Sequence, residues 1–292
     1  MQTSKGSFIS SNLRLIIVFI IAVIFGVIFW LYKAYYSTPN SVFYGMISNN
    51  LNTQNYEVVT DQVGLTGNII VATQVNSGFK NVVISRETTN IANSKNTVQI
   101  LSIGTPSTDF SSYQKISVGR SSSLYDSLIG VWGENSPHSP SGQGGQLYQS
   151  TVFSAFLFAS PSINDTNRLV NFIKQNKVYI IKSSKTANFN GRSIINFQIQ
   201  VNLKQYSNLL SLYSSLIGYK NNYSINATYP SNQLASLDIS VDVLSRQLIG
   251  LSYVGSSSVE AYESYGINSP IKLPTKTIPL QQLKNDISSL SN

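Results

Sequence analysis

The side chains that most often carry protein chemistry are scarce in this chain. Among its 292 residues there is one histidine and no cysteine. That removes disulfides, thiolate metal sites, thiol nucleophiles and the thioether by which a lipoprotein is anchored. The histidine, His138, lies in Gly133 to Gly145 (GENSPHSPSGQGG), and Glu134 is its nearest acidic neighbour in sequence. One histidine cannot build a multi-histidine metal site, and as a base it lacks a nucleophile and an orienting carboxylate. Ser112 to Lys115, Ser162 to Asn164 and Lys185 to Ala187 follow the order of the S-x-x-K, S-x-N and K-T-G elements of penicillin-interacting enzymes. The third has no glycine, however, and Ser77 to Lys80 repeats the first by chance. Asp238 and Asp242 alternate with Ile239, Val241 and Val243, which puts both carboxylates on one strand face, where solvated surface is a simpler account than a metal or acid/base pair. The sequence therefore predicts a non-enzyme with no catalytic residues, metal or cofactor.

Two other groups of residues are candidates for binding. Arg168, Lys174, Lys177, Lys182, Lys185 and Arg192 place six positive charges within 25 residues, with no acidic residue from Arg168 to Arg192. On one face they would meet an anionic polymer or lipid; scattered, they are ordinary solvated charges. The chain shows no nucleic-acid module with stacking aromatics, so specific nucleic-acid recognition is not expected. The second group is aromatic: Trp132, Phe153, Phe156 and Phe158 flank the long Gly/Pro/Ser loop and are the candidate lining of an apolar ligand site. A plain core would use the same residues.

Where these groups act depends on an apolar run near the N-terminus. Leu15 to Tyr32 (LIIVFIIAVIFGVIFWLY) carries no charge, is bracketed by Arg14 and Lys33, and ends with Trp30 and Tyr32. At about 1.5 Å per residue, 18 residues match the hydrocarbon core of a bilayer. No small-residue cleavage site follows, so the run reads as an uncleaved signal anchor. Lys5 and Arg14 precede it, and after Lys33 the next basic residue is Lys80, an asymmetry that predicts a cytoplasmic N-terminus (1–14) and an extracytoplasmic domain (41–292) after a linker (33–40). Without Lys5, Arg14 and Lys33 the chain has 17 basic and 12 acidic side chains, a net charge of +5. Only 11% of all residues are charged, well below the usual ~25%, which suits a polar exterior domain. The sequons at Asn164, Asn222 and Asn226 are expected by chance in so Asn- and Ser-rich a chain.

The outer domain reads as one α+β unit. A helix is expected over 41–52, then an antiparallel meander of strands at 56–63, 68–74, 80–86, 98–103 and 112–118, broken at Gly64, Gly67, Gly78 and Pro106. Its faces should be one apolar and one polar. Ser162 is a suitable N-cap for a helix to Asn176. Asn190-Gly191 marks a hairpin between 177–187 and 192–203. A helix over 205–217, three strands at 234–243, 248–255 and 258–265, a Pro270 to Pro274 exit and a helix over 279–290 complete the series.

That order, with Val178 to Tyr206 (VYIIKSSKTANFNGRSIINFQIQVNLKQY) and the ending from Leu248 to Pro274, resembles the LolA and LppX/LprG-like superfamily of extracytoplasmic lipoprotein carriers. The resemblance implies a curved antiparallel sheet, an incomplete β-barrel, covered by helices around an apolar cavity for acyl chains. A tethered version could receive or present a lipid or lipoprotein near the membrane but not ferry it across a wide compartment. The expected function is thus a single-pass, membrane-anchored binding protein of the cell envelope. The alternative is a structural or assembly subunit of an envelope machine that binds protein or anionic polymer.

Overall fold

The computed structural model describes residues 6–31, 36–64, 67–78, 81–93, 96–117, 122–136, 144–219, 236–255, 258–267 and 270–290. His138 lies outside them. The chain forms an α+β structure around one large, curved, unclosed sheet of twelve strands. Helix α1 (Gly6–Leu31) leads to α2 (Pro39–Asn52), strands β1 (Asn55–Gly64), β2 (Gly67–Gly78), β3 (Asn81–Asn93), β4 (Asn96–Gly104) and β5 (Asp109–Ser117), a 3-10 helix (Ser122–Leu128) and β6 (Trp132–Asn135). Helices α3 (Gln146–Val152) and α4 (Ile163–Gln175) precede the hairpin β7 (Tyr179–Phe189) and β8 (Arg192–Val201). After α5 (Leu203–Ile217) come β9 (Ser236–Asp242), β10 (Leu248–Tyr253), β11 (Val259–Glu263), the two-residue β12 (Ile278–Pro279) and α6 (Leu280–Leu290).

Two antiparallel meanders make the sheet, β1 to β6 and β7 to β11, and β11 joins them by pairing with β1 (Val58 opposite Tyr262). Among the described strands only the short β12 runs parallel to its neighbour, β6. The local signals act as expected at several points. Thr38 Oγ1 caps α2 through the Ser41 N–H, Ser162 Oγ caps α4 through the Asp165 N–H, and Asn190 and Gly191 both take positive φ in the β7–β8 turn. Strand β6 was not expected. Three of its four residues (Gly133, Glu134 and Asn135) open the Gly/Pro/Ser loop and carry no strand pattern, and pairing with β5 settles it.

The core lies between the β7–β11 half of the sheet and helices α2, α4 and α5. Phe43 of α2 meets the rings of Phe156, Tyr179 and Phe197 at 5.7 to 6.4 Å between centroids, contacts that contribute ~0.5–1.5 kcal/mol each beyond area burial. On β8, β9 and β10 the side chains facing these helices are Phe197, Ile199, Leu237, Ile239 and Leu251, all buried.

Helix α1 differs from the others. Every described side chain on it, from Leu15 to Trp30, is exposed. Among the described residues, no helix is long and apolar enough to cross a membrane. Side chains are described for only sixteen positions of α1, and Tyr32, which ends the expected span, lies outside the described residues. The structure therefore does not itself establish the span.

Candidate functional site

The β1–β6 half of the sheet carries a different kind of face. Gly104 of β4 and Gly133 of β6 lie under helices: a Cβ on the first would come within 2.9 Å of Leu147 in α3, and on the second within 2.8 Å of Leu280 in α6. Register places Gly133 opposite Ser111, Ser111 opposite Ser102, Ser102 opposite Arg86, Arg86 opposite Thr73, Thr73 opposite Val58 and Val58 opposite Tyr262. Because residues two apart on a strand share a face, this whole row lies on the side covered by α3 and α6. The expected apolar lining is thus interrupted by hydroxyls and a guanidinium.

Helix α3 sits over β3 and β4 and leaves space on both sides. A cavity of about 760 Å³ is bordered by Arg86, Ser102, Asp109 and Ser111 on the sheet, Gln146, Leu147 and Ser150 on α3, and Leu280, Gln281 and Lys284 on α6. A second, of about 340 Å³, is bordered by Tyr56, Val58, Val71, Thr73, Arg86, Tyr253, Glu260 and Tyr262, with Ser150, Thr151 and Ser154 above. Arg86 and Ser150 border both.

Arg86 is held by hydroxyls. Its Nε donates to Thr73 Oγ1 at 3.2 Å and its Nη2 to Thr151 Oγ1 at 3.4 Å. Burial lowers its pKa, opposed by the charges of Glu260 and Asp109. Burial likewise raises the pKa of Glu260, whose Oε2 accepts a hydrogen bond from the Tyr262 hydroxyl at 2.7 Å. Asp109 is also pushed up by burial, while the N–H groups of Gln146 (2.8 Å) and Leu147 (3.2 Å) donate to its carboxylate and so tie β5 to the start of α3. Arg86 between Asp109 and Glu260 on a hydroxyl-bearing floor, with Leu147 and Leu280 on one side and Val58, Val71 and three tyrosines on the other, suits a ligand with both a polar and an apolar part.

The aromatic candidates are placed elsewhere. Phe156 is fully buried, stacked on Tyr179 with centroids 5.0 Å apart. Phe158 stacks on Tyr56 at 4.0 Å, and Phe153 meets Tyr213 edge-on at 6.1 Å. Their segment is pinned from below. Tyr179 donates to the carbonyl of Ala155 at 2.7 Å, Tyr206 to that of Ser154, and Tyr213 to that of Phe158 at 2.5 Å. Trp132 stands apart on β6, beside Lys272 to Ile278.

The six basic candidates are all exposed but do not share one face. Arg168 and Lys174 ride on α4, where Lys174 Nζ lies 5.0 Å from the centre of the Tyr44 ring, and Lys177 follows that helix. Lys185 and Arg192 lie on the β7–β8 hairpin, toward the far end of a strand some 33 Å long. Lys182 and Lys185 belong to β7, a free edge of the sheet, where lysine guards against pairing with another chain. Asp238 and Asp242 do share a face, yet lie four residues apart, about 13 Å along β9. Asp242 Oδ1 accepts the N–H groups of Leu244 and Ser245, a turn-forming role. Ser112 is buried, Lys115 is exposed and Ser162 caps α4, so the penicillin-interacting pattern assembles no site.

No protein-family model matches the chain, and no curated protein matches it. What the structure defines is a helix-covered, open antiparallel sheet whose β1–β6 half retains polar-floored cavities. Arg86, Thr73 and Glu260 escaped the sequence reading. The available signal was alternation: Ile84, Arg86 and Thr88 share a parity, and Ile84 is a core residue.

Proposed function

We propose that this chain is a membrane-anchored extracytoplasmic binding protein that holds a lipid or other amphiphile between the β1–β6 sheet face and helices α3 and α6. The observation that carries the reading is the polar floor around Arg86 beneath α3. Cavities of about 760 and 340 Å³ lie on either side of it, the smaller one shared with Tyr253, Glu260 and Tyr262 of β10 and β11. Each falls in the size range of small-molecule and cofactor sites. The likeness to the lipoprotein-carrier superfamily supports the same reading through the order of elements and the unclosed sheet.

Helix α1 supports the anchor. From Leu15 to Trp30 it is apolar on every side and exposed on every side, and a helix of that kind finds its low free energy in a protein core or in lipid. The charge asymmetry around it supports a cytoplasmic side for residues 1–14 and an outer side for the sheet.

The test is native mass spectrometry with lipid extraction on the full chain in detergent, compared with Ser111→Trp, in the 760 Å³ cavity, and Thr60→Trp, at a β1 residue that also borders the 340 Å³ cavity. Loss of a specific co-purifying lipid in either variant, with circular dichroism unchanged, supports a carrier. Identical lipid content in all three sinks the proposal and favours an assembly subunit.

A further inference from the structure

A specific clamp joins the β9–β10 turn to Tyr36 and the start of α2. Arg246, in the β9–β10 turn, is only 7% exposed. Its guanidinium lies 4.0 Å from the centre of the Tyr36 ring and donates from Nη2 to the Tyr36 carbonyl. Its stem packs on Gly45 of α2, where a Cβ would come within 3.2 Å, and its own carbonyl accepts from Asn49 Nδ2 at 3.2 Å. Nη1 is buried and finds no partner among the described residues. A turn that buries an arginine at that cost holds Tyr36, and with it the start of α2, in a fixed place.

Tyr36 is five residues beyond Leu31, the end of α1, so Tyr36, which the β9–β10 turn grips, lies within about 18 Å of that end by chain length alone. Phe29 of α1 in fact borders one cavity of about 890 Å³ together with Ser37, Gly191, Arg192, Leu244 and Ser245. The β7–β8 turn is at this same end of the sheet, since Ile194 pairs with Asp242 and the Val243 N–H donates to the Ser193 carbonyl. Both turns present apolar side chains to solvent: Phe189 is 49% exposed and Leu244 is 73% exposed. Phe189 and Arg192 face each other across the hairpin, and Lys185 shares their side of β7.

The geometry points to a second membrane contact: the paired tips of the β7–β8 and β9–β10 turns rest on the bilayer, Phe189 and Leu244 dipping among the head groups and Arg192 and Lys185 meeting lipid phosphates. Large exposed apolar side chains with basic ones on the same hairpin, beside the end of a membrane anchor in space, are what an interfacial contact requires. The contact would fix the sheet's orientation over the bilayer. This inference rests on the anchor reading of α1.

The chain's lack of cysteine makes the test clean. Single variants Phe189→Cys, Leu244→Cys, Val254→Cys and Ile24→Cys of the full chain are labelled with an environment-sensitive fluorophore. Each is reconstituted into phosphatidylcholine vesicles with and without phosphatidylglycerol, containing lipid quenchers at head-group or mid-chain depth. Val254 is the control, exposed at the opposite end of β10. Expected are mid-chain quenching at 24, head-group quenching at 189 and 244 that increases with phosphatidylglycerol, and none at 254. Adding Arg246→Met should reduce quenching at 189 and 244 and leave 24 unchanged. Quenching at 24 without any at 189 and 244 overturns the second contact alone; no quenching at 24 overturns the anchor and this inference with it.

Discussion

Arg86 of β3 and Thr73 of β2 are direct cross-strand partners, and the Arg86 Nε donates to the Thr73 hydroxyl at 3.2 Å. The guanidinium is thereby held by neutral oxygens, with the charge of Glu260 near enough to oppose the effect of burial. Arg86→Met should destabilise the protein by about 1–3 kcal/mol, because it leaves Glu260 partly buried without its cation. Adding Glu260→Gln should restore part of that loss, with a coupling of ~0.5–3 kcal/mol in a double-mutant cycle followed by urea unfolding of the full chain in detergent. Strict additivity would show that the two groups do not interact.

The same pair sets a pH dependence. Burial raises the pKa of Glu260 above its ordinary 4.5, so the folded state binds a proton more readily than the unfolded one. The group costs nothing below the ordinary value, and stability is lost as pH rises through the folded pKa. Glu260→Gln should therefore match the wild type near pH 4 and gain on it as pH rises toward 7. Melting temperatures at three pH values would check this, and a gain that shrinks with rising pH would reverse the sign.

The order of most elements was legible because the signals were local, but β6, α3 and β12 were not among them. Ser162 capping, the Asn190-Gly191 turn and the glycine breaks between β1 and β3 each act over four residues or fewer. The joining of the two meanders through β1 and β11 was not legible, since it pairs residues some 200 positions apart. The site was obscured for a related reason. Phe153, Phe156 and Phe158 look the same in sequence whether they line a cavity or fill a core; three tyrosine hydroxyls from β7 and α5 decide it. Arg86 could have been noticed as a charge in phase with a core residue, but its partners lie on other strands.

Those tyrosines carry a measurable share of stability. Tyr213→Phe removes the donor to the Phe158 carbonyl and leaves that buried acceptor short of a partner, at an expected cost of about 1–2 kcal/mol. Tyr179→Phe should cost a similar amount through Ala155. Phe156→Ala, which deletes a ring from the centre of the core, should cost more, about 3–5 kcal/mol. Chemical denaturation would rank the three, and a Phe156→Ala cost below that of Tyr213→Phe would mean the core can collapse around the missing ring.

Helix α6 offers a way to open the site without touching its polar floor. A Cβ at Gly133 would meet Leu280 Cδ1 at 2.8 Å, Leu280 Cα at 3.0 Å and Leu283 Cδ2 at 3.1 Å. Because one of those atoms is backbone, the helix itself must move rather than a side chain alone. Gly133→Val should cost about 1–3 kcal/mol as an overpacking change. It should also lift α6 from β6, and with it Leu280, Gln281 and Lys284, which wall the larger cavity. Hydrogen exchange would then show faster amides in α6 with unchanged protection in β7 and β8, and the co-purifying lipid should fall in parallel. Faster exchange in α6 with full lipid retention would place the ligand on the other side of α3, in the space between Arg86 and Glu260.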